Sequence, residues 1–429
     1  MKYLPIEQEL FIENRKKFVA QMKPNSIAIF NSNDEMPRSA DLNHPWRQNP
    51  DLFYLSGIDQ EETFLILYPD SPRKEYREVL FVRETNEHIA VWEGHKYTME
   101  EAQQASGITT VLWNKDFHTV LSLLMVYAET VYLNSNENDR ASITVQSRDN
   151  RFANDLQTRF PLHHYERSAR ILNRLRALKS PAEVALIKEA VSITEKAFRR
   201  ILGYVKPGVM EYEVEAEIMH EFLRNRATTY AYYPIIASGK NACVLHYVEN
   251  NQPCNAGDML LLDFGCEYAN YASDLTRTIP VSGKFTKRQK DIYNAVLRVM
   301  KEAKKLLKPG TVLWDYNIAV GWIMQEELLG LGLLKKEEVA KQHPDRPLFK
   351  KYFPHGTSHF MGIDVHDIGD RFGPMLPGMV FTCEPGIYVP EEGIGIRIEN
   401  DVLITENGNM DFMENFPIEA EEIEMMMAK

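Results

Sequence analysis

The residues best suited to chemistry are two pairs of carboxylates in the second half of the chain. Asp263 follows the apolar run 259–262, and Asp274 stands eleven residues further along. A hairpin that turns at Tyr268 and Ala269 places the two side chains directly opposite each other, with Cβ atoms roughly 4.5–5.5 Å apart. Like charges in that arrangement destabilise a hairpin unless a cation neutralises them.

A second pair, Glu384 and Glu399, has the same symmetry. Its midpoint falls at the tip of segment 390–393, which predicts that the two side chains face each other across a second hairpin. A bulge at Pro385-Gly386 would change this register. Two divalent cations about 3.5–4 Å apart would turn the repulsion within both pairs into binding energy. The spacing therefore predicts a dinuclear metal site.

Histidines lie between and before the carboxylate pairs. His355, His359 and His366 stand between them, and His246 precedes both. A single histidine is more often a packed side chain than a ligand, so the grouping matters more than any one residue. A site of four carboxylates and one imidazole is rich in hard oxygen ligands. It favours Mn²⁺ or Co²⁺ over a thiolate-type zinc site.

The first half of the chain mixes strand-like apolar runs with helical stretches. The strand-like runs are 26–30, 63–68, 79–82 and 131–133, and a helical stretch covers 117–128. That order is typical of an α/β domain with a central sheet. A basic helical stretch at 167–179 is followed by Ser180-Pro181, which is typical of a capped helix start. We therefore predict a first domain over 1–172 and a second over 173–429.

The second half shows a different pattern, in which strand pairs alternate with helices. Strands are predicted at 259–266 with 271–280 and at 379–389 with 395–404, and helices at 286–308 and 313–332. Hairpins flanked by helices are typical of an α+β domain whose sheet is covered on one side. Both carboxylate pairs fall within these predicted hairpins.

The composition of the chain argues against several classes of function. A formal net charge of -12 and a pI near 5.6 disfavour nucleic acid or an anionic membrane as the main partner, because both select basic surfaces. No apolar run reaches the roughly 18 residues that a membrane span needs, and the N-terminus lacks the apolar segment of a secretory signal. Four cysteines without a CxxC pair indicate reduced, mostly buried thiols. We therefore expect a cytoplasmic protein.

Three segments around the candidate residues resemble one known family. They read LLLDFGCEYANYASDLTRTIPVSGKFT, HGTSHFMGIDVHDIG and CEPGIYVPEEGIGIRIENDVLIT. They are similar to the metallopeptidases of the pita-bread fold, and most to aminopeptidase P, the Xaa-Pro aminopeptidases. The earlier segment RSADLNHPWRQNPDLFYLSGIDQ is similar to the non-catalytic N-terminal domain of that family. The resemblance implies an α/β N-terminal domain and an α+β catalytic domain of pita-bread fold.

The resemblance also implies a set of metal ligands. These would be Asp263, Asp274, His359, Glu384 and Glu399. Asp274 and Glu399 would bridge two divalent ions, which we expect to be Mn²⁺, with Co²⁺ or Zn²⁺ as alternatives.

Further residues are implied in substrate binding. His246 and His366 would line the substrate site and help to stabilise the transition state. His355 and Tyr388 match pocket positions around the proline, and Arg397 matches a position beside the metals. Trp92 resembles a tryptophan that reaches the active site of a neighbouring subunit, so a homodimer or homotetramer is expected.

Together these features predict an aminopeptidase that releases the N-terminal residue from peptides with proline in second position. Two cations would lower the pKa of a bridging water and so supply hydroxide near neutral pH. Glu384 is assigned to take the proton and deliver it to the proline nitrogen. The nearest alternative is a prolidase, which shares the fold and ligands but cleaves Xaa-Pro dipeptides. An alternative of another class is a non-catalytic binding protein on the same fold.

Overall fold

The computed structural model describes residues 2–138, 140–141 and 144–428. These residues divide into two compact units, one over residues 3–176 and the other from residue 177 onward. The predicted boundary at 172/173 lies inside helix α7 (Ala169–Ala177), whose last turn contains the division between the units. Along the described chain, no helix combines the length and the apolar character that crossing a membrane requires.

The first unit is built around a mixed sheet with helices along its sequence. Its helices are α1 (Glu9–Val19), α2 (Pro50–Ser56), α3 (Glu87–Glu93), α4 (Met99–Ser106), α5 (Phe117–Met125), α6 (Arg148–Arg159) and α7. Its strands are β1 (Ser26–Asn31), β2 (Pro37–Ser39), β3 (Leu42–Asn43), β4 (Phe64–Leu67), β5 (Glu78–Val82), β6 (Thr110–Trp113), β7 (Thr130–Leu133) and β8 (His164–Arg167).

The strands of the first unit confirm the predicted α/β domain with a central sheet. Within the described residues, six of them form one sheet in the order β6-β5-β4-β1-β7-β8. β1 pairs in parallel with β7, whereas β4 pairs antiparallel with both β1 and β5. β1 and β7 are buried along their whole length, because helices such as α5 cover them with apolar side chains.

The second unit consists of short antiparallel sheets and the helices around them. Its helices are α8 (Pro181–Tyr204), α9 (Glu211–Arg224), α10 (Lys287–Leu306), α11 (Leu313–Gly330), α12 (Lys336–Val339) and α13 (Ala420–Met427). Its strands are β9 (Thr229–Tyr230), β10 (Ile235–Ser238), β11 (Met259–Phe264), β12 (Cys266–Tyr268), β13 (Tyr271–Ala272), β14 (Leu275–Pro280), β15 (Val380–Cys383), β16 (Gly386–Val389), β17 (Ile394–Arg397), β18 (Asn400–Thr405) and β19 (Gly408–Asp411). Both predicted hairpins and both predicted intervening helices are present, as expected for an α+β domain.

The first hairpin turns one residue later than its sequence predicts. The two turn residues are Ala269 and Asn270, both with left-handed φ angles of 52° and 64°. Asparagine tolerates that region better than most residues, so it favours the second central position of such a turn. Asp263 consequently pairs with Thr276 rather than with Asp274. The predicted direct pairing of the two aspartates was therefore wrong.

The two aspartates nevertheless remain on the same face of the hairpin. Side chains alternate between faces along a strand, so a change of pairing by two residues preserves the face, whereas a change by one would reverse it. Asp263 and Asp274 thus become diagonal neighbours, and Gly265 stands opposite Asp274. A Cβ atom on Gly265 would lie 1.7 Å from the carbonyl oxygen of Ser273, so only glycine fits this position.

The second hairpin has the predicted register. Cys383 pairs with Asn400 and Gly386 with Arg397, on either side of the Glu384–Glu399 position. The N–H of Ile398 donates to the carbonyl of Pro385 at 3.2 Å, so the register continues through the break between β15 and β16. The predicted facing of Glu384 and Glu399 is confirmed, and Pro385-Gly386 does not shift it.

A backbone hydrogen bond joins the two hairpins. The N–H of Glu399 donates to the carbonyl of Thr276 at 3.0 Å, in an isolated antiparallel bridge between β14 and the start of β18. This bridge places the second carboxylate pair beside the first. Local sequence patterns do not contain this information, because it joins positions more than a hundred residues apart.

Helix α8 holds the first hairpin from behind. It begins at a capping box, in which Ser180 Oγ accepts from the Glu183 N–H and the Glu183 side chain accepts from the Ser180 N–H. Thr194 is the polar residue on the otherwise apolar stripe of this helix, and its Oγ1 lies 2.7 Å from Ser273 Oγ. It also accepts from the N–H of Cys266 at 3.2 Å. Thr194 therefore fixes the hairpin next to Asp274.

Substituting Gly265→Ala is expected to lower the stability of the second unit, because the new methyl group meets backbone that cannot move aside. We expect a loss of roughly 1–3 kcal/mol or more, seen as a lower thermal midpoint. Gly203→Ala in α8 is the matched control, since a Cβ there meets nothing within 4 Å. Alanine should stabilise that helix by up to about 1 kcal/mol. Equal midpoints for the two variants would contradict the packing described for the hairpin.

Candidate metal centre and active site

Three side chains from distant parts of the sequence form a compact group of potential ligands. Asp274, His359 and Glu399 are buried, and each offers a ligand atom such that these atoms all lie within 4.8 Å of one another. His359 Nε2 lies 3.4 Å from Asp274 Oδ2 and 3.7 Å from Glu384 Oε1. The structure therefore gathers four of the predicted ligands, which are three carboxylates and the one imidazole that they surround.

The fifth predicted ligand, Asp263, adjoins this group through a shared hydroxyl. The OH of Tyr232 lies 2.6 Å from Asp263 Oδ1 and 2.5 Å from Asp274 Oδ1. One hydroxyl carries one hydrogen, so it satisfies only one of the two carboxylates at a time. The other oxygen of Asp263 accepts from a guanidinium N–H of Arg397.

The group holds more negative charge than its protein neighbours neutralise. Burial raises the pKa of Glu384 to about 7, against the opposing charges of His359 and Arg397. Burial and then the charges of Asp274 and Glu384 raise the pKa of Glu399 well above its ordinary value. Burial is also the main cause of the raised pKa of Asp263. Closely spaced carboxylates with raised pKa values are suited to bind divalent cations, and the oxygen-rich donor set favours hard cations among them.

A second cluster of side chains adjoins the carboxylates. Tyr388 OH lies 2.8 Å from His355 Nε2 and accepts from Arg397 at 2.7 Å. His355 Nδ1 in turn lies 3.8 Å from Glu384 Oε2. Burial and the charge of Arg397 lower the pKa of His355 to about 3, so its ring is neutral at physiological pH. The predicted substrate residues His355, Tyr388 and Arg397 thus form one connected group.

The other two predicted histidines have different surroundings. The ring of His366 packs edge-on against that of His359, with centroids 4.4 Å apart. His246 is exposed on the loop after β10, and its charge contributes to the lowered pKa of His355. Trp92 belongs to the first unit, where it lies on α3 with 80% of its surface exposed.

Several residues that support the ligands were not predicted from the sequence. Thr276 Oγ1 donates to Glu399 Oε2 at 2.6 Å, and the Asp274 N–H donates to Asp401 Oδ2 at 3.0 Å. Thr276 lies two positions after Asp274, and Asp401 lies two positions after Glu399. Residues two positions apart share a strand face, so this spacing could have indicated both. Thr382 Oγ1 accepts from the His359 N–H at 3.1 Å. Tyr232 carries no comparable local signal, because a single tyrosine outside a regular strand has no characteristic pattern.

Comparison with known proteins supports the same arrangement. A family model for metallopeptidase family M24 matches residues 185–406, and one for the aminopeptidase P N-terminal domain matches residues 11–132. The Xaa-Pro aminopeptidase of Escherichia coli K12 is 37% identical over 98% of this chain and 98% of its own. That of Haemophilus influenzae is 34% identical over 100% and 98%.

Solved structures agree over nearly the full length. Aminopeptidase P from Escherichia coli with the inhibitor Pro-Leu superposes with a TM-score of 0.86 at 35% identity, covering 99% of both chains. The Pseudomonas aeruginosa aminopeptidase PepP gives a TM-score of 0.89 at 32% identity, covering 99% and 98%. The fold and the buried site are those of a metallopeptidase. The chain belongs to metallopeptidase family M24 and, within it, to the aminopeptidase P group, which confirms the resemblance and the predicted pita-bread fold.

The metal-free protein should lose stability as pH rises through the range in which Glu384 ionises. Its folded-state pKa is raised from 4.5 to about 7, so the folded protein binds this proton more tightly than the unfolded chain does. The resulting stabilisation is complete below about pH 4.5 and is lost as pH rises toward 7, with an effect of a few kcal/mol. Denaturant unfolding of chelator-treated protein measures it.

Glu384→Gln should flatten this pH dependence and leave the metal-free protein more stable than wild type at pH 8. Glu406→Gln is the control, since Glu406 is exposed in the turn between β18 and β19. It should follow the wild-type curve. A slope that Glu384→Gln leaves unchanged would show that burial of this carboxylate does not raise its pKa as described.

Proposed function

We propose that this chain removes the N-terminal residue from peptides that carry proline in second position, with the aid of two divalent metal ions. The observation that carries the proposal is the convergence of two carboxylate pairs and His359 beside the cluster of His355, Tyr388 and Arg397. The full-length similarity to Xaa-Pro aminopeptidases supports the choice of substrate.

We assign the metals to the five predicted ligands, which are Asp263, Asp274, His359, Glu384 and Glu399. Asp274 and Glu399 lie together with His359, and these two carboxylates would be shared by both ions, as the resemblance implies. The hard oxygen donors favour Mn²⁺, with Co²⁺ or Zn²⁺ as alternatives. When bound, divalent ions supply positive charge that polarises a peptide carbonyl and acidifies water near neutral pH.

Glu384 is the residue we assign to proton transfer. Its raised pKa, about 7, lies close to neutrality, which suits a group that first accepts a proton and then releases it. The proton would come from the attacking water and go to the proline nitrogen as the peptide bond breaks. His355 lies 3.8 Å from Glu384 and is neutral, so it does not hold this proton itself.

The remaining residues bind and orient the peptide. His246 and His366 flank the site and are assigned to hydrogen-bond the substrate carbonyl and the oxyanion that develops on it. Proline has a fixed ring and no N–H, so its selection rests on shape. His355 and Tyr388 would enclose that ring. Arg397 holds Tyr388 and Asp263 in place through separate nitrogen atoms of one guanidinium.

Three further expectations stay proposals. We propose a first domain over residues 1–172 and a second over 173–429. We propose a homodimer or homotetramer in which Trp92, exposed on α3, reaches the site of a neighbouring subunit. A cytoplasmic location is consistent with four free cysteines, of which Cys254, Cys266 and Cys383 are buried.

Substituting Glu384→Gln in the manganese-loaded enzyme should lower kcat on an Xaa-Pro-Yaa tripeptide by about 10²–10⁴-fold, because the proton acceptor is lost. Circular dichroism should show an unchanged fold, and metal analysis separates loss of the base from loss of metal. Glu406→Gln, on the same hairpin system, should keep wild-type turnover. Retained activity in Glu384→Gln would refute the assignment.

The same assay distinguishes the alternatives. Cleavage of the tripeptide supports the aminopeptidase, whereas cleavage of the Xaa-Pro dipeptide alone would identify a prolidase. A protein that binds Mn²⁺ and peptide but cleaves neither substrate would be a binding protein on this fold.

A further inference from the structure

Loop 239–251 carries His246, and one buried side chain holds both ends of this loop. Glu211, the first residue of α9, is fully buried. Its Oε1 accepts from the N–H of Ser238, just before the loop, at 2.8 Å. Its Oε2 accepts from the N–H of Gln252, just after the loop, at 2.9 Å. A single carboxylate therefore fixes the distance between the two points at which the loop leaves and rejoins the domain.

The same carboxylate reaches the residue next to His246. The OH of Tyr247 donates to Glu211 Oε2 at 2.7 Å, and Asn241 Nδ2 donates to Oε1 at 3.5 Å. All four contacts come from neutral donors, which suit an acceptor-only group. Burying a carboxylate with hydrogen bonds alone is costly compared with an apolar side chain of similar size. An apolar side chain would be sufficient to pack α9 at this position. The buried carboxylate therefore indicates a specific role in holding the loop.

Tyr247 also contacts the cluster of His355, Tyr388 and Arg397 through Tyr388. Its buried ring packs in a core group with Ile235, Leu261 and Tyr388. Leu261 belongs to the strand that ends near Asp263, and Tyr388 is bonded to His355 and Arg397. A shift of Tyr247 would therefore move His246 relative to the groups that bind the substrate.

A second glutamate on the same face of α9 supports the end of the loop. Glu215 lies one helical turn after Glu211, and its Oε2 accepts from Asn250 Nδ2 at 2.8 Å. Asn250 has a left-handed φ of 44°, and its Oδ1 accepts from the N–H of Ile236 in β10 at 3.0 Å. The loop is thus tied to α9 and to β10 at the place where its chain reverses direction.

We propose that Glu211 is a positioning residue of the peptidase reaction, which holds His246 at the substrate site through Tyr247 and the two ends of loop 239–251. The proposal rests on the role assigned above to His246. The contacts of Glu211 are with the loop, and it acts on the substrate only through the histidine that the loop carries.

A double-mutant cycle tests this proposal in the full-length, manganese-loaded enzyme with an Xaa-Pro-Yaa tripeptide. Glu211→Gln should lower kcat/KM by roughly 10- to 100-fold, because the histidine is misplaced. His246→Ala should lower it by about 10²–10³-fold. The double variant should have a kcat/KM within about twofold of that of His246→Ala alone, because Glu211 acts on the reaction only through His246. If Glu211 had only a structural role, Glu211→Gln would lower kcat/KM by the same factor in the wild-type enzyme and in the His246→Ala variant.

Glu217→Gln is the matched control on the same helix. Glu217 hydrogen-bonds Arg200 rather than the loop, so this variant should keep kcat/KM within about twofold of wild type. Tyr247→Phe removes one donor alone and serves if Glu211→Gln does not fold. It should give a smaller loss that also disappears in the His246→Ala background.

Two results would overturn the proposal, and they are distinguishable. If Glu211→Gln or Tyr247→Phe keeps wild-type kcat/KM, or loses as much in the His246→Ala background as in wild type, the positioning role is refuted while the function of His246 stands. If His246→Ala itself retains wild-type kcat/KM, the role assigned to His246 fails, and the positioning role fails with it.

Discussion

The constraint on which the second unit depends is the close approach of four carboxylates, of which Asp263, Asp274 and Glu399 are buried and Glu384 is half-buried. Asp263 lies in β11, and Asp274, Glu384 and Glu399 lie at the breaks between consecutive strands, where ionised groups without counter-charges are strongly disfavoured. Arg397 and His359 offset part of this charge, while burial and then the neighbouring carboxylates raise the pKa values of Asp263, Glu384 and Glu399. The surrounding structure is arranged to keep these groups together in spite of their repulsion.

Successive sets of contacts hold the carboxylates in place. The hairpins set the position of each carboxylate, and the bridge between Thr276 and Glu399 joins the two hairpins into one site. Threonine, tyrosine and aspartate side chains then fix individual oxygens or backbone groups, as Thr276 does for Glu399. Next to these groups lie the residues that we propose bind the substrate, including Tyr388 beside Arg397 and His246 on the loop held by Glu211. The outer contacts restrain the supporting side chains, and these in turn restrain the carboxylates. The site can therefore keep a geometry that its charges alone would not favour.

Much of this could be predicted from the sequence, but only where the interactions are local. The Ser180 capping box, the central sheet of the first unit and the register of the second hairpin follow from signals within about twenty residues. The first hairpin shows the limit of such signals. The choice between Tyr268-Ala269 and Ala269-Asn270 as the turn depends on the tolerance of Asn270 for a left-handed conformation, and the pattern of apolar residues fits both. The face of each aspartate was nevertheless correct, because faces repeat every two residues. The contacts of Tyr232 and the bridge at Thr276 were not predictable, since they depend on how distant segments pack.

The central claim is that the carboxylates hold two metal ions which share Asp274 and Glu399. Anomalous diffraction at the manganese edge, from crystals of the full chain grown with Mn²⁺, tests it most directly. The account predicts two anomalous peaks about 3.5–4 Å apart, with carboxylate oxygens of Asp274 and Glu399 between them. A single peak, or the absence of any peak within the carboxylate group at saturating Mn²⁺, would contradict it.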